Sequence, residues 1–292
     1  MNRKKITFLL RVIFFQLLAL ISFSCSTTDD IEELPTPVEQ PNIQTFTVMT
    51  FNITGNKWSS NKDVINSIIL NHQVDILGTQ ELSGNIKSEF MQLLGENYSI
   101  VETFDDLNVN LSPIIYNNQR FNLLDFGYKE TPICGPRRFV NWALFKNLDN
   151  DQTFFFYNNH LCRGEEESQK QHGVDLIELM TEHQNKETNY RGIVTGDFNA
   201  SEGTDLVDFI LGKKSLTLNN TEYLNNLSIE DTWQLVNPNQ NKPSQGNVAI
   251  DWIFCTSNWR VENSLVDTSN SESGGTPPSD HYPLITIFSN DL

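Results

Sequence analysis

The segment from residue 98 to residue 160 limits the fold more than any other part of the chain. It contains five successive strand patterns, at 98–103, 113–116, 121–129, 139–146 and 153–160. A parallel α/β sheet needs a crossover, usually a helix, between neighbouring strands, and this run shows none. We therefore predict an α/β (α+β) fold in which two mostly antiparallel sheets pack face to face, flanked by helices, as a four-layer α/β/β/α sandwich.

The remaining patterns fit the same architecture. Apolar residues recur at helical spacing at 61–72, 86–94, 165–186 and 205–211. Further strands are predicted at 46–53, 75–81, 192–197, 248–256, 259–266 and 282–288, and residues between 212 and 247 are predicted to form a polar loop region. Because this part of the chain shows no linker or repeat, we predict one domain over 46–292.

The first 24 residues have the form of a secretory signal. Basic residues in MNRKK precede an apolar stretch at 6–23, which Arg11 and Gln16 interrupt. Cys25 follows Ser22-Phe23-Ser24, which resembles a bacterial lipobox except at Phe23. We predict lipidation at Cys25 and export as an outer-membrane or cell-surface lipoprotein. The alternatives are an ordinary signal peptide, giving a periplasmic or secreted protein, and an uncleaved anchor.

Residues 25–45 are predicted to form a flexible tether between the lipid and the domain. The segment after Cys25, STTDDIEELPTPVEQPNIQT, is acidic and contains three prolines but no periodic apolar pattern. The whole chain carries a formal net charge of −17. Because sequence-independent nucleic-acid binding relies on Lys and Arg that neutralise phosphates, this charge disfavours a general affinity for nucleic acid.

Polar residues occur where several strand patterns end or begin. They are Asn52, Glu81, Asp197, Asn199, Asp251 and Asp280. If these strands are neighbours, the side chains converge into a set rich in oxygen donors, which suits a hard cation such as Mg²⁺. A metal can offset phosphoryl charge, a carboxylate can activate water, and a histidine can bind the phosphate. Taken singly, each residue is more typical of a turn, a cap or a buried polar position.

Six motifs together resemble the endonuclease/exonuclease/phosphatase superfamily, which has the deoxyribonuclease-I-like fold. In chain order they read MTFNI, QEL, NNHL, GDFNA, IDWIF and SDHYPL, and the resemblance extends from Phe46 to Phe288. Two intermediate segments also resemble the family, SPIIYNNQRFNLLDFGYKETP and RRFVNWALFK. The resemblance implies a metal-dependent hydrolase of phosphodiesters or phosphomonoesters that uses Mg²⁺, with Mn²⁺ as an alternative.

The resemblance also implies a role for each matching residue. Glu81 would be the main metal ligand, with Asn52 and Asp280 in support. Asp197 would orient or deprotonate the attacking water, and Asn199 would contact that water or the phosphate. His281 would bind the scissile phosphate while Asp251 orients its ring. His160 and Arg138 would add further phosphate contacts, whereas Arg137 is more typical of a surface charge.

The substrate stays open at this point. Asn159, Cys162 and Leu111 differ from residues common in the family, so contacts to the substrate do not transfer. The acidic composition favours a phosphorylated small molecule, glycan or nucleotide, acted on by a monomer near the membrane. A secreted nuclease acting on DNA or RNA is one alternative. A catalytically inactive surface binding protein is another, but Glu81, Asp197 and His281 are all retained.

Overall fold

A computed structural model describes residues 44–101, 112–131, 137–269 and 277–290. Within these ranges the strands, numbered along the chain, are β1 (Thr45–Asn52), β2 (Ile76–Gln80), β3 (Tyr98–Ile100), β4 (Ile114–Asn117), β5 (Phe121–Thr131), β6 (Arg138–Asn147), β7 (Thr153–His160), β8 (Gly192–Asp197), β9 (Leu216–Leu218), β10 (Thr221–Tyr223), β11 (Ile229–Asp231), β12 (Asp251–Thr256), β13 (Val261–Val266) and β14 (Leu284–Ser289). The α-helices are α1 (Trp58–Asn71), α2 (Gly84–Leu94), α3 (Glu166–Lys186), α4 (Asp205–Ile210) and α5 (Thr232–Val236). A short 3-10 helix over Gly55–Lys57 precedes α1.

Twelve of these strands form two six-stranded sheets. Sheet I has the order β13-β14-β1-β2-β4-β3, and sheet II has the order β11-β12-β8-β7-β6-β5, while β9 and β10 form a separate hairpin. The pairs β1–β2 and β7–β8 are parallel, and the other pairs are antiparallel. The two sheets pack together with helices outside, so the predicted four-layer sandwich is confirmed.

Three apolar clusters fill the space between the layers. The cluster between the sheets includes Phe46, whose ring centroid lies 5.4 to 5.6 Å from those of Phe121, Phe154, Trp259 and Phe288. A second cluster lies beneath α1 and α2 on sheet I, and a third lies beneath α3 and α4 on sheet II. Each fully buried Phe or Leu contributes roughly 1.5–3 kcal/mol, so the core holds both sheets in fixed positions.

A polar layer joins the two sheets just inside one edge. Gln80 donates to Asn158 Oδ1 at 2.9 Å and to Thr50 Oγ1 at 3.2 Å, and Thr195 Oγ1 donates to Asn158 Oδ1 at 3.0 Å. The amide nitrogen of Asn158 donates to three backbone carbonyls, those of Thr79, Ser112 and Pro113. The four side chains are fully buried. Burial of polar groups is tolerated here because each finds partners.

Most predicted elements occur within a few residues of their predicted bounds, and 153–160 and 192–197 match fully. The predicted loop between 212 and 247 is wrong in part, because it contains β9, β10, β11 and α5. Each of these elements has three to five residues, which is too few for a repeating pattern of apolar residues to be recognised in the sequence.

The predicted signal peptide, Cys25 and the tether up to residue 43 lie outside the described residues, as does Leu111. The first described strand begins at Thr45, one residue before the predicted start of the domain. Among the helices described, none combines the length and apolar character that a membrane span requires.

Candidate active site

Three strand ends place an amide between two carboxylates. Asn52 ends β1, Glu81 follows β2, and Asp197 ends β8 on the other sheet. The Asn52 amide nitrogen donates to Glu81 Oε1 at 3.3 Å and to Asp197 Oδ2 at 3.1 Å. The sequence motifs that are far apart along the chain therefore meet at one edge of the sandwich.

Backbone strain accompanies this convergence. Thr54, Glu81 and Asn199 adopt positive φ angles of 47°, 62° and 49°, a left-handed conformation that few non-glycine residues adopt. Gly55 allows a close approach, because a Cβ atom there would lie 2.4 Å from the backbone oxygen of Glu81. Strained backbone of this kind persists where surrounding structure holds it, and it is often found at functional sites.

The loop before β14 is tied to the end of β1. The Thr54 hydroxyl contacts the Ser279 hydroxyl at 2.6 Å and also hydrogen bonds to Asp280 Oδ1. Ser279 Oγ in turn donates to the backbone oxygen of Asn52 at 2.6 Å. These contacts bring Asp280 to the end of β1, which carries Asn52. Asp280 itself is exposed.

His281 and Asp251 form a buried pair. His281 Nδ1 lies 2.8 Å from Asp251 Oδ2, and both residues are almost fully buried. Burial alone would lower the pKa of His281, but the Asp251 hydrogen bond and charge, with Asp197 and Asp280, raise it to about 9. His281 is therefore a cation at neutral pH, held in a fixed orientation by Asp251.

A loop over residues 240–248 supports this pair. Ser244 Oγ accepts the backbone N–H of Asp251 at 2.9 Å, and the Ser244 carbonyl accepts that of Tyr282 at 2.7 Å. Gln245 Nε2 lies 3.0 Å from His281 Nε2. With His281 charged, that contact requires the amide oxygen of Gln245 to face the ring.

The same loop is anchored by a buried ion pair. Lys242 Nζ donates to both carboxylate oxygens of Asp231, at 3.2 and 3.3 Å, and lies 3.3 Å from the centroid of the Trp252 ring. Burial lowers the pKa of Lys242 to about 8, against the opposing effect of Asp231. These contacts tie the loop to Asp231 at the end of β11 and to Trp252 in β12. Removing one partner of the ion pair would leave an uncompensated buried charge.

Asp197 lies at the centre of the site. Its Oδ2 atom is 3.1 Å from the Asn52 amide, 3.5 Å from His160 Nε2 and 3.7 Å from His281 Nε2, and its Oδ1 atom accepts the Asn199 N–H at 2.9 Å. Burial and the neighbouring Asp251 charge raise the pKa of Asp197 to about 7, although His281 and the hydrogen bonds oppose this. A carboxyl group with this pKa is suited to accept a proton near neutral pH.

Asp197 also gives a stability prediction for the metal-free protein. Because folding raises its pKa from 3.8 to about 7, the stability gained from its neutral form is complete below the unfolded pKa and lost as the pH rises through about 7. Asp197→Asn stays neutral throughout. In chelator we expect the variant to melt several degrees above the natural protein at about pH 8, with a smaller advantage at about pH 5. A difference in melting temperature between the two proteins that does not change with pH would contradict this prediction.

Two buried nitrogen atoms of predicted site residues lack protein partners. Arg138 Nε and His160 Nδ1 are buried, and neither has a hydrogen-bond partner in the part of the chain described. Burial lowers the pKa of Arg138, whereas Asp197 and Glu81 favour its charged form. Burial and the charges on Arg138 and His281 hold the pKa of His160 well below its usual range. The site thus offers a cation and a neutral imidazole for an anionic group.

The metal donors predicted from the sequence fit a hard cation by chemistry, since Glu81 and Asp280 supply carboxylates. The role of Asn52 as a metal ligand stays a prediction: its amide oxygen accepts the Thr54 N–H at 3.1 Å, and its nitrogen faces the carboxylates. That nitrogen acts here as a hydrogen-bond donor.

A second group with metal-ligand geometry is Asp197, Asp251 and His281, whose donor atoms lie within 4.8 Å of one another. The His281–Asp251 hydrogen bond already uses one ligand atom from each of these two residues. A hard cation also prefers oxygen to imidazole nitrogen.

The remaining predicted residues have more ordinary contacts. The Asn199 side chain donates to the backbone oxygen of Leu161 at 3.0 Å, which fixes it beside Asp197. Asn159 donates to the Thr195 carbonyl and contacts His172 Nε2 at 3.0 Å, so it supports the strand that carries His160. Arg137 pairs with Glu130 through two hydrogen bonds at 2.8 and 2.9 Å, as expected of a surface charge.

Several residues at the site were not predicted. Thr54, Ser279, Ser244, Gln245 and Lys242 each hold a predicted residue or its loop in place. Thr54 directly follows the MTFNI motif and Ser279 is the first residue of SDHYPL, and these positions are the signal in the sequence that could have identified them. Nothing in the local pattern around Lys242 indicates that it reaches Asp231 and Trp252.

Comparison with known proteins shows what this chain resembles. The sequence profile described as "Endonuclease/Exonuclease/phosphatase family" matches residues 49–281. No curated protein sequence matches the chain.

Solved structures share the fold at low identity. A family protein from Bacteroides thetaiotaomicron is 20% identical with a TM-score of 0.67, and the match covers 86% of this chain and 99% of that one. A mannosyl-6-phosphatase from the same organism is 20% identical with a TM-score of 0.65, covering 82% and 98%. The catalytic domain of human Nocturnin, solved with a bound sulfate anion, is 20% identical with a TM-score of 0.66, covering 84% and 94%.

Proposed function

The chain belongs to the endonuclease/exonuclease/phosphatase family of phosphate-ester hydrolases, and from this premise we propose that it cleaves its ester by metal-assisted attack of water. The observation that carries the proposal is the position of Asp197 Oδ2, within 3.7 Å of both His160 Nε2 and His281 Nε2 and hydrogen bonded to Asn52. A group that accepts a proton and groups that bind an oxyanion are thereby placed around one point.

Each residue has a distinct task in this proposal. Asp197 orients the attacking water and accepts its proton, since its raised pKa favours that transfer near neutral pH. His281, kept charged by Asp251, and Arg138 bind the phosphoryl oxygens, where charge increases in the transition state. Neutral His160 and the second amide hydrogen of Asn199 complete the set of donors.

The proposed metal site consists of Glu81 and Asp280, with Asn52 reorienting its amide so that the oxygen faces the ion. A bound Mg²⁺ would offset charge on the phosphoryl oxygens and on the leaving oxygen. Mn²⁺ has similar ligand preferences and is the proposed substitute. A single carboxylate-rich site that leaves room for water and phosphate is typical of Mg²⁺.

The proposed substrate is a small phosphorylated sugar, glycan or nucleotide. A formal charge of −17 opposes binding of a long polyanion. Two structural relatives support a compact anion, because one is a mannosyl-6-phosphatase and the other, Nocturnin, was solved with a bound sulfate anion. Action on DNA or RNA is disfavoured for the same reason. We further propose that the protein works outside the cytoplasm as a monomer anchored through Cys25, on the strength of the N-terminal sequence alone.

A substrate panel tests the function. The purified chain is assayed with Mg²⁺, with Mn²⁺ and with chelator against sugar phosphates, nucleotides, plasmid DNA, RNA and phospholipids. We expect metal-dependent hydrolysis of a small phosphate ester and its loss in chelator. Glu81→Gln removes one ligand charge and should raise the Mg²⁺ concentration needed for half-maximal rate by roughly 10- to 100-fold. A folded protein that hydrolyses no member of the panel would favour the inactive binding protein instead.

A further inference from the structure

A second cavity lies at the opposite end of sheet II from the active site. Its volume is about 1030 Å³, and it is formed by the chain entering β7, by the chain entering β8 and by the end of α3. The active site uses the last residues of β7 and β8, His160 and Asp197. Since β7 has eight residues and a strand rises about 3.3 Å per residue, the two sites are separated by about 20 Å or more.

Arg191 forms part of the cavity wall, and its side chain is held rigidly. The residue is only 6% exposed, and its guanidinium lies over the Trp259 ring, 4.7 Å from the centroid. Nη1 donates to Gln152 Oε1 at 2.8 Å. Stacking on an aromatic ring fixes the plane of a guanidinium while leaving its edges available for hydrogen bonds.

The other edge of the guanidinium has no protein acceptor. Within the described ranges, Arg191 Nε and Nη2 make no hydrogen bond, and neither atom is fully buried. Arg191 is one of the residues that line the cavity. Nε–H and Nη2–H lie side by side and point in the same direction. This is the fork that binds a carboxylate or phosphate through two parallel hydrogen bonds.

Arg191 has no carboxylate beside it, although the chain has 37 acidic and 20 basic residues. Arg120, Arg137 and Arg260 each contact a carboxylate at 2.9 Å or less, whereas Arg138 and Arg163, like Arg191, form no ion pair with the described residues. No carboxylate oxygen of the described residues lies within 4 Å of Arg191. Burial lowers the pKa of Arg191, and no neighbouring acid offsets this effect. A buried cation without a counter-ion is stabilised by an anionic ligand.

The rest of the cavity wall carries side chains that suit hydroxyl groups. Amides and hydroxyls are the most numerous, from Gln152, Thr153, Gln184, Asn185, Asn189 and Asn258, and three charged residues, Asp151, Lys186 and Glu187, also line the cavity. Amide side chains both donate and accept, as do the hydroxyls of a sugar. We propose that this cavity is a binding site for an acidic sugar, whose carboxylate pairs with the Nε/Nη2 edge of Arg191 while its hydroxyls bond to the amides.

The site is independent of the proposed hydrolysis, so its test does not require activity. The full chain, labelled with ¹⁵N, is titrated with glucuronate, glucose and acetate, and the Arg Nε–H resonances are followed by NMR. We expect glucuronate to shift the Arg191 Nε–H signal, with glucose and acetate binding at least about 10-fold more weakly. An Arg138 signal that shifts alone would place the ligand in the active site and overturn the proposal.

Two matched variants distinguish the effect of the Arg191 charge on binding from the effect of an arginine charge elsewhere on the surface. Arg191→Met keeps an apolar chain over Trp259 but removes the fork, and Arg260→Met removes an exposed arginine that pairs with Glu262. Glucuronate affinity should fall by about 10-fold or more in the first and stay unchanged in the second. Phosphoester turnover should be unchanged in both.

If Arg191→Met does not fold, the resonance shifts of the natural protein decide the matter. Glucose binding as tightly as glucuronate would overturn the role of the arginine. Acetate binding as tightly as glucuronate would overturn the role of the amides. Glucuronate at tens of millimolar that leaves the Arg191 signal unmoved would overturn the site itself.

Discussion

Asparagine at position 197 is expected to reduce kcat/KM by about 1000-fold or more. The substitution keeps the shape of the side chain and an oxygen that can accept the Asn199 N–H, but it removes the group that takes a proton from water. General-base catalysis contributes roughly 10²- to 10⁴-fold, and loss of the negative charge also weakens the charged state of His281. The rate is measured with saturating Mg²⁺ on the best substrate of the panel.

A control variant that is expected to leave both the fold and the rate unchanged accompanies the Asp197→Asn measurement. Asp151→Asn changes an exposed aspartate at the far end of sheet II, which pairs with Lys146, and should leave the rate unchanged. Circular dichroism and melting should show that both variants are folded, with Asp197→Asn the more stable above neutral pH in chelator. Turnover within tenfold of the natural enzyme would rule out Asp197 as the base.

The second large loss of kcat/KM is expected on substitution of His281 or Asp251, and the effects of the two substitutions should not add. His281→Ala removes the cation that binds the phosphoryl group, and Asp251→Asn removes the carboxylate that keeps the ring charged and oriented. We expect a loss of about 100- to 1000-fold for His281→Ala and a somewhat smaller loss for Asp251→Asn. The double variant should lose little more than His281→Ala alone.

This non-additivity distinguishes a coupled pair from two separate contributors. If the losses in the double variant multiply, Asp251 acts on something other than His281, such as the metal group suggested by the proximity of Asp197, Asp251 and His281. In that case Mg²⁺ affinity should fall in Asp251→Asn. In the proposed arrangement, Mg²⁺ affinity should be almost unaffected by either change.

The parts of the site carried by strands were predictable from the sequence. Apolar patterns at 153–160 and 192–197 locate the ends of β7 and β8, and their parallel pairing places His160 opposite Asp197. Asp251 also lies opposite Asp197, because β12 runs antiparallel to β8. The local pattern locates the end of each strand, whereas the pairing and register that bring these ends together are seen only in the structure.

The parts carried by loops were not predictable. The left-handed backbone of Glu81 lies against Gly55, and that of Thr54 is accompanied by a contact with Ser279, 225 residues further along the chain. The anchoring of residues 240–248 depends on Lys242 reaching Asp231 and Trp252. Such contacts are settled by tertiary packing, and short elements such as β11 carry too few residues to show a period.

The polar layer of Thr50, Gln80, Asn158 and Thr195 has a consequence for how such a protein can diverge. Replacing any one of the four leaves buried donors or acceptors of the others without partners, so each single step costs about 1–3 kcal/mol. Drift through this layer is therefore slow, whereas loops at the rim change without that penalty. A chain of this kind can acquire a new substrate while the reaction it performs stays the same.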